Sequence, residues 1–102
     1  MQELINIFEL GKAKQQPGGV FARLAKLMEE AGELAEAVTH SQGLSPHKTM
    51  KEPLEGEVAD VVICALDVLA QTYPELSSTR LLEILANQLN KKTTKWRELK
   101  DA

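Results

Sequence analysis

The chain is poor in the residues that build several common kinds of site. It has one cysteine, Cys64, in 102 residues, so an internal disulfide is excluded. Its place in the apolar run from Val61 to Leu66 reads as a buried, reduced thiol. The two histidines, His40 and His47, flank a polar segment without a cysteine partner or a spaced histidine pair, which argues against zinc. There are few aromatics. Phe8 and Phe21 fall on apolar faces and are expected in the core, and with only Tyr73 and Trp96 besides, no base-binding pocket stands out. The longest apolar run is far too short to cross a bilayer. Met1-Gln2-Glu3 has neither the positive start nor the apolar stretch of a signal peptide, so a cytoplasmic location is the default expectation. Positive charge is scarce as well. The net charge is −3, and the one basic run, Lys91-Lys92 to Lys100, is short. A nucleic-acid partner needs a basic face that this chain lacks.

What remains is an ordinary globular composition, 43% hydrophobic and 26% charged, of a length that suits one domain over residues 1–102. The periodicity is helical throughout. Leu4, Ile5 and Phe8 mark a first helix from about Gln2 to Gln16, ended by Pro17-Gly18-Gly19. A second runs from Val20 to about Gln42. Its apolar face carries Val20, Phe21, Leu24, Leu27, Met28, Ala31, Leu34, Ala35 and Val38, and Gly43 is its stop. A polar connection, Gly43 to Glu52, leads to a third helix from Pro53 to Thr72, with the proline in its first turn. Tyr73-Pro74-Glu75-Leu76 breaks the chain. Ser77 or Ser78 then caps a fourth helix whose inner stripe is Leu81, Leu82, Leu85, Leu89, Trp96 and Leu99. No strand pattern or internal repeat is present, and the expected fold is all-α, a bundle of about four helices.

Two acidic stretches carry the chemistry. The second helix holds Glu29, Glu30, Glu33 and Glu36. On a wheel of about 100° per residue, Glu30 lies at the edge of the apolar face and the others opposite it, which by itself describes a solvated surface. The third helix changes that balance. From Val58 to Ala70 it is apolar almost all round, broken only by Asp60 and Asp67, with Glu57 and Cys64 on the same stripe. A carboxylate on a covered helix is costly unless it is paired or binds a cation. Arg23 and Lys26, the only basic residues between Val20 and Val38, are too few to pair them all. A hard cation held by oxygens resolves the conflict, magnesium before manganese. Magnesium retains waters, so substrate phosphates are expected to complete its shell.

Glu29-Glu30-Ala31-Gly32-Glu33 followed by Glu57-Val58-Ala59-Asp60 resembles the EExxE…ExxD signature of the all-α nucleoside triphosphate pyrophosphohydrolases. The likeness is to the MazG-like proteins, with dimeric dUTPases and phosphoribosyl-ATP pyrophosphohydrolase as relatives. Lys26-Leu27-Met28, Gly32-Glu33-Leu34-Ala35-Glu36-Ala37 and Ala59-Asp60-Val61-Val62 are similar to the same family. The resemblance spans about Leu24 to Ala70 and reaches the fourth helix loosely. EExxE alone occurs in many helices, whereas its pairing with ExxD on a separate apolar helix is fairly specific.

The resemblance implies hydrolysis of a (deoxy)nucleoside triphosphate between its α- and β-phosphates, giving the monophosphate and pyrophosphate. It implies Glu30, Glu33, Glu57 and Asp60 as magnesium ligands, with Glu29 as a further ligand or outer acid. Glu33, supported by Glu29, would orient or deprotonate the attacking water. It also implies homodimers or homotetramers, in which an apolar third helix is covered. On the fourth helix, Lys92 continues the inner stripe, and with Asn90 and Lys95 it is the candidate phosphate contact. The competing reading of those lysines is a basic helix end favoured by the dipole. Glu36 reads as surface, and Asp67 as bonding a neighbouring helix or facing an interface. Two alternatives to the hydrolase stand beside it. One is a catalytically idle metal- or nucleotide-binding regulator, the other an enzyme of the phosphoribosyl-ATP type.

Overall fold

The computed structural model describes residues 1–14, 18–44 and 52–101, with side chains through Leu99. It contains four helices, α1 (Gln2–Ala13), α2 (Gly19–Ser41), α3 (Leu54–Thr72) and α4 (Ser78–Asp101), and no strand among the described residues. The all-α expectation is met, and the breaks fall where the turn chemistry places them.

Local signals account for most of the helix ends. Gly18 precedes α2 with φ of 89°, a left-handed conformation that costs a glycine little. α2 closes on Gly43, at φ of 75°. The Gly43 N–H donates to the His40 carbonyl at 2.9 Å, and the Leu44 N–H donates to the Thr39 carbonyl at 3.0 Å. This crossed pair is a Schellman motif. Pro53 stands one residue before α3 rather than inside its first turn, in an extended conformation. Glu55 and Glu57 then lie in that first turn, where the helix dipole favours negative charge. Ser77 caps α4, its hydroxyl accepting the Arg80 N–H at 3.1 Å. α1 is set down to Ala13. The helix therefore stops short of the expected Gln16, because Lys14 is already extended; Gln15, Gln16, the Pro17 turn and His47 fall outside the described residues.

The four helices divide into two packings. Phe8, Leu66, Ala70 and Leu81 form a closed apolar cluster shared by α1, α3 and α4. Leu4, Ile7, Leu69, Leu76, Leu82 and Leu85 pack around it. On its other side α3 takes α2 along its length, while α2 and α4 do not touch among the described residues. The α2–α3 pair is antiparallel, with Glu33 opposite Glu57 and Arg23 opposite Asp67.

The subunit is open. Its radius of gyration is 16.0 Å and its extents are 46 × 45 × 23 Å, against a radius of about 13 Å for a compact domain of this length. Only part of each expected apolar face is covered. On α2, Leu27 and Leu34 are half-buried, but Leu24, Met28 and Val38 are exposed, and Phe21 is 78% exposed rather than in the core. On α4, Leu81, Leu82 and Leu85 pack inward. Every described side chain from Ala86 to Leu99 is exposed, Trp96 at 72%. No helix among the described residues is long and apolar enough to cross a membrane.

Candidate metal centre

The side of α2 that faces α3 is not its most apolar side. Glu30 and Ala37 are the buried residues of α2, and Glu57, Leu66 and Ala70 those of α3. Glu30 is 7% exposed and Glu57 only 4%. The antiparallel register brings one oxygen each of Glu30, Glu33 and Glu57 within 4.8 Å of one another. A second set, Glu52, Glu57 and Asp60, meets the same limit. The two sets share Glu57, so the four carboxylates expected from sequence, Glu30, Glu33, Glu57 and Asp60, lie in one continuous group.

The fifth member, Glu52, is the residue the sequence reading missed, since it was assigned to the polar connection. It precedes α3 and folds back over the helix start. A Cβ on Gly56 would stand 3.0 Å from Glu52 Oε2, so the glycine leaves room for this return. The signal was the spacing itself, an acid before Pro53 with a glycine four residues on.

The other expected residues sort differently. Glu29 is exposed and belongs to neither set; its carboxylate lies 3.7 Å from Lys26 Nζ. Asn90, Lys92 and Lys95 are exposed on the outer half of α4, a helix that does not reach α2. Within one chain they stand apart from the α2 carboxylates. Glu36 is exposed, and it keeps an interaction of its own. Asp67 bonds a neighbouring helix, as expected of it: Arg23 Nη1 lies 2.8 Å from Asp67 Oδ2, both side chains mostly buried.

Positive charge is not enough to neutralise the group. Lys26 Nζ sits 3.1 Å from Glu30 Oε1, and that bond raises the lysine pKa above its ordinary value. Arg23 is committed to Asp67. No described cation pairs with Glu33, Glu52, Glu57 or Asp60. Two of the acids, Glu33 and Glu52, are consequently raised above their ordinary pKa. The charge of Glu30, and then a hydrogen bond to it, raise the Glu33 pKa. Glu52 is pushed up to about 7, first by its hydrogen bond with Asp60, then by loss of water and by the charges of Asp60, Glu57 and Glu30. Cys64, next on the α3 stripe, is raised by burial first and by Glu30 second. Cys64 is half-buried, not enclosed as expected of it.

Two oxygens carry the clearest signal. Glu30 Oε2 and Glu57 Oε2 are buried without a hydrogen-bond partner. An unsatisfied buried polar group costs about 1–3 kcal/mol, more when charged. Orphaned carboxylate oxygens, hard ligands and an excess of negative charge together fit a divalent cation of the magnesium type. Glu30, Glu33, Glu57, Asp60 and Glu52 are the residues that could hold it.

Compared with family models, curated proteins and solved structures, the chain matches none. The likeness to the MazG-like enzymes therefore rests on the acidic motifs themselves.

Proposed function

We propose that this chain is a magnesium-dependent nucleoside triphosphate pyrophosphohydrolase of the MazG-like kind, acting on a cytoplasmic nucleotide pool. The observation that carries the reading is the pair of partnerless buried oxygens, Glu30 Oε2 and Glu57 Oε2, at the centre of converging acids. A structural acidic face would be solvated. These oxygens are buried without a hydrogen-bond partner, and the single Lys26 beside Glu30 does not reach Glu57, so a bound cation would remove that cost.

Glu30, Glu57 and Asp60 would hold magnesium, or manganese in its place, with Glu52 closing the set from the α3 side. When bound, the metal lowers the pKa of a coordinated water and neutralises charge on the phosphates. Glu33 is the proton acceptor in this reading. It is half-buried rather than sealed, so a water beside the metal would be within reach of its carboxylate. Glu29 has a supporting part at most, because it faces Lys26 and not the cluster. Asn90, Lys92 and Lys95 can meet the phosphates only if a second subunit brings its α4 to the seam.

That condition joins function to assembly. A homodimer or homotetramer would cover Phe21, Met28, Val62 and Trp96, all exposed in the single chain, and patches of that kind mark interfaces. Light scattering at micromolar concentration should give at least a dimer; a monomer would contradict the assembly.

The enzymatic reading is tested by incubating the protein with a panel of nucleoside and deoxynucleoside triphosphates plus magnesium. Release of monophosphate and pyrophosphate is expected. Glu33→Gln and Asp60→Asn should reduce the rate by about hundredfold or more, and Glu29→Gln by a few-fold at most. If no nucleotide yields pyrophosphate, the hydrolase reading falls. A metal affinity that survives with no turnover would then favour the idle regulator. Turnover confined to phosphoribosyl-ATP would favour that branch instead.

A further inference from the structure

The gathered carboxylates have a single cation at their edge. Lys26 stands one turn before Glu30 on α2, and its Nζ lies 3.1 Å from Glu30 Oε1. The other oxygen of that carboxylate, Oε2, is buried and has no hydrogen-bond partner. Glu30 therefore keeps one oxygen on a lysine and the other unused inside the seam. Among the described residues no other cation touches a member of the group. Arg23, one turn further back, is not free. Its side chain is 12% exposed, Nη1 is held by Asp67 and Nη2 by the Lys14 carbonyl. Asn90, Lys92 and Lys95 lie on a helix that does not reach α2.

Lys26 differs from Arg23 in its freedom. Its side chain is 53% exposed. An ammonium has three N–H donors, and Glu30 engages one of them. A second acceptor is at hand, since Glu29 Oε2 lies 3.7 Å from the same Nζ. Glu29 belongs to neither carboxylate set, so the ammonium can turn toward it without leaving the seam or losing a counter-charge. Exposed pairs of this kind on one helix are weak, and an exchange of partners costs little.

We propose that Lys26 binds phosphate oxygens of the substrate from within the same chain, and that it is freed to do so once Glu30 ligates a cation. This rests on the pyrophosphohydrolase reading and names the side chain that would grip the anionic end of the nucleotide. A triphosphate carries more negative charge than one divalent cation neutralises, so the site needs a positive side chain beside the carboxylates, and Lys26 is the one in place. The lysine and the candidate cation site share one carboxylate, which sets the ammonium beside any phosphate bound there. Lysine meets phosphate as a compact point charge and requires no fixed fork geometry, as suits a side chain held by exchangeable partners. Glu29 gains its supporting part in the same way, by keeping the lysine at the seam while it changes partner.

The test reads binding apart from turnover. Titration calorimetry on the full-length protein with magnesium alone should show Lys26→Gln binding the ion about two- to fivefold more tightly than the wild type, because a competitor for Glu30 is gone. Magnesium pyrophosphate, at saturating magnesium, should bind that variant about tenfold more weakly, and Lys26→Arg within a few-fold of the wild type. In hydrolysis assays Lys26→Gln should raise KM for nucleotides by about tenfold with kcat nearly unchanged. Weakened pyrophosphate binding without turnover of any nucleotide by the wild type would support the phosphate contact and overturn the hydrolase. Turnover with unchanged KM and pyrophosphate affinity in Lys26→Gln would overturn the contact and leave the hydrolase standing. Magnesium binding that weakens in Lys26→Gln would show the lysine to be a support of the cluster, against the proposal. Pyrophosphate binding lost in Lys92→Gln and kept in Lys26→Gln would assign the contact to α4 of a second copy, and the proposal would fall.

Discussion

Two regions of this subunit are buried, and they are buried on opposite terms. Around Phe8 and Leu81, both fully covered, folding removes carbon from water, and the cluster itself is apolar. Along the α2–α3 seam it removes carboxylate oxygens, two of them with no partner. The first arrangement is stable whatever the solvent contains, because apolar burial contributes about 25 cal/mol per Å². The second is unfavourable as it stands, and in the proposed reading a bound cation would offset its cost. The difference separates the part of α3 that holds the fold from the part that carries the candidate site, though the two are neighbouring faces of one helix.

The contrast can be broken from either side. The largest effect is expected at the apolar cluster. Phe8→Ala should cost about 3–5 kcal/mol, most of the stability of so small and open a domain. Thermal unfolding should show that loss equally with and without magnesium.

Glu57→Gln should do the reverse. Glu57 belongs to both carboxylate sets, and its charge helps to raise both Glu33 and Glu52. Removing it should abolish tight magnesium binding and lower turnover by about hundredfold or more, yet raise the melting temperature of the metal-free protein. A metal-free melting temperature that falls would show that Glu57 is structural.

The smallest effect sharpens the comparison through pH. Glu52 has an ordinary value of 4.5 and a folded value of about 7. A raised folded pKa means that the protonated form is favoured in the fold. Its contribution is therefore full below about 4.5 and is lost as pH rises through about 7. Glu33, raised as well, acts in the same direction. The metal-free protein should lose stability over that window, and saturating magnesium should offset the loss, by about 2.7 kcal/mol at a hundredfold excess over Kd. Glu52→Gln should flatten the slope. A metal-free melting temperature that stays level from pH 5 to pH 7.5 would contradict this account.

Much of this was legible in the sequence. Turn residues marked every helix break, and the conflict between acids and an apolar third helix identified Glu30, Glu33, Glu57 and Asp60, all of which the structure gathers. Glu29 could not be separated from Glu30 by motif alone. The wheel, with Glu30 at the edge of the apolar face and Glu29 opposite it, already drew that separation, and in the structure Glu30 turns toward α3 while Glu29 lies beside Lys26. Glu52 was hidden because a residue outside a helix has no periodic signal, and only the packing over Gly56 shows where it points. The helical wheel also overstated the core. It marks every apolar residue on a face as buried, whereas α2 covers only what α3 touches, and Phe21, Leu24 and Met28 stay outside.

The five gathered acids, Glu30, Glu33, Glu52, Glu57 and Asp60, also impose an order on events. A free nucleoside triphosphate is itself a polyanion, and at the mouth of the seam it meets charge of its own sign. In the proposed reaction association would therefore be ordered, cation first or cation and nucleotide together as a chelate, because like charges at close range repel by several kcal/mol where water is scarce. Excess nucleotide, by withdrawing the free cation, would then become its own inhibitor.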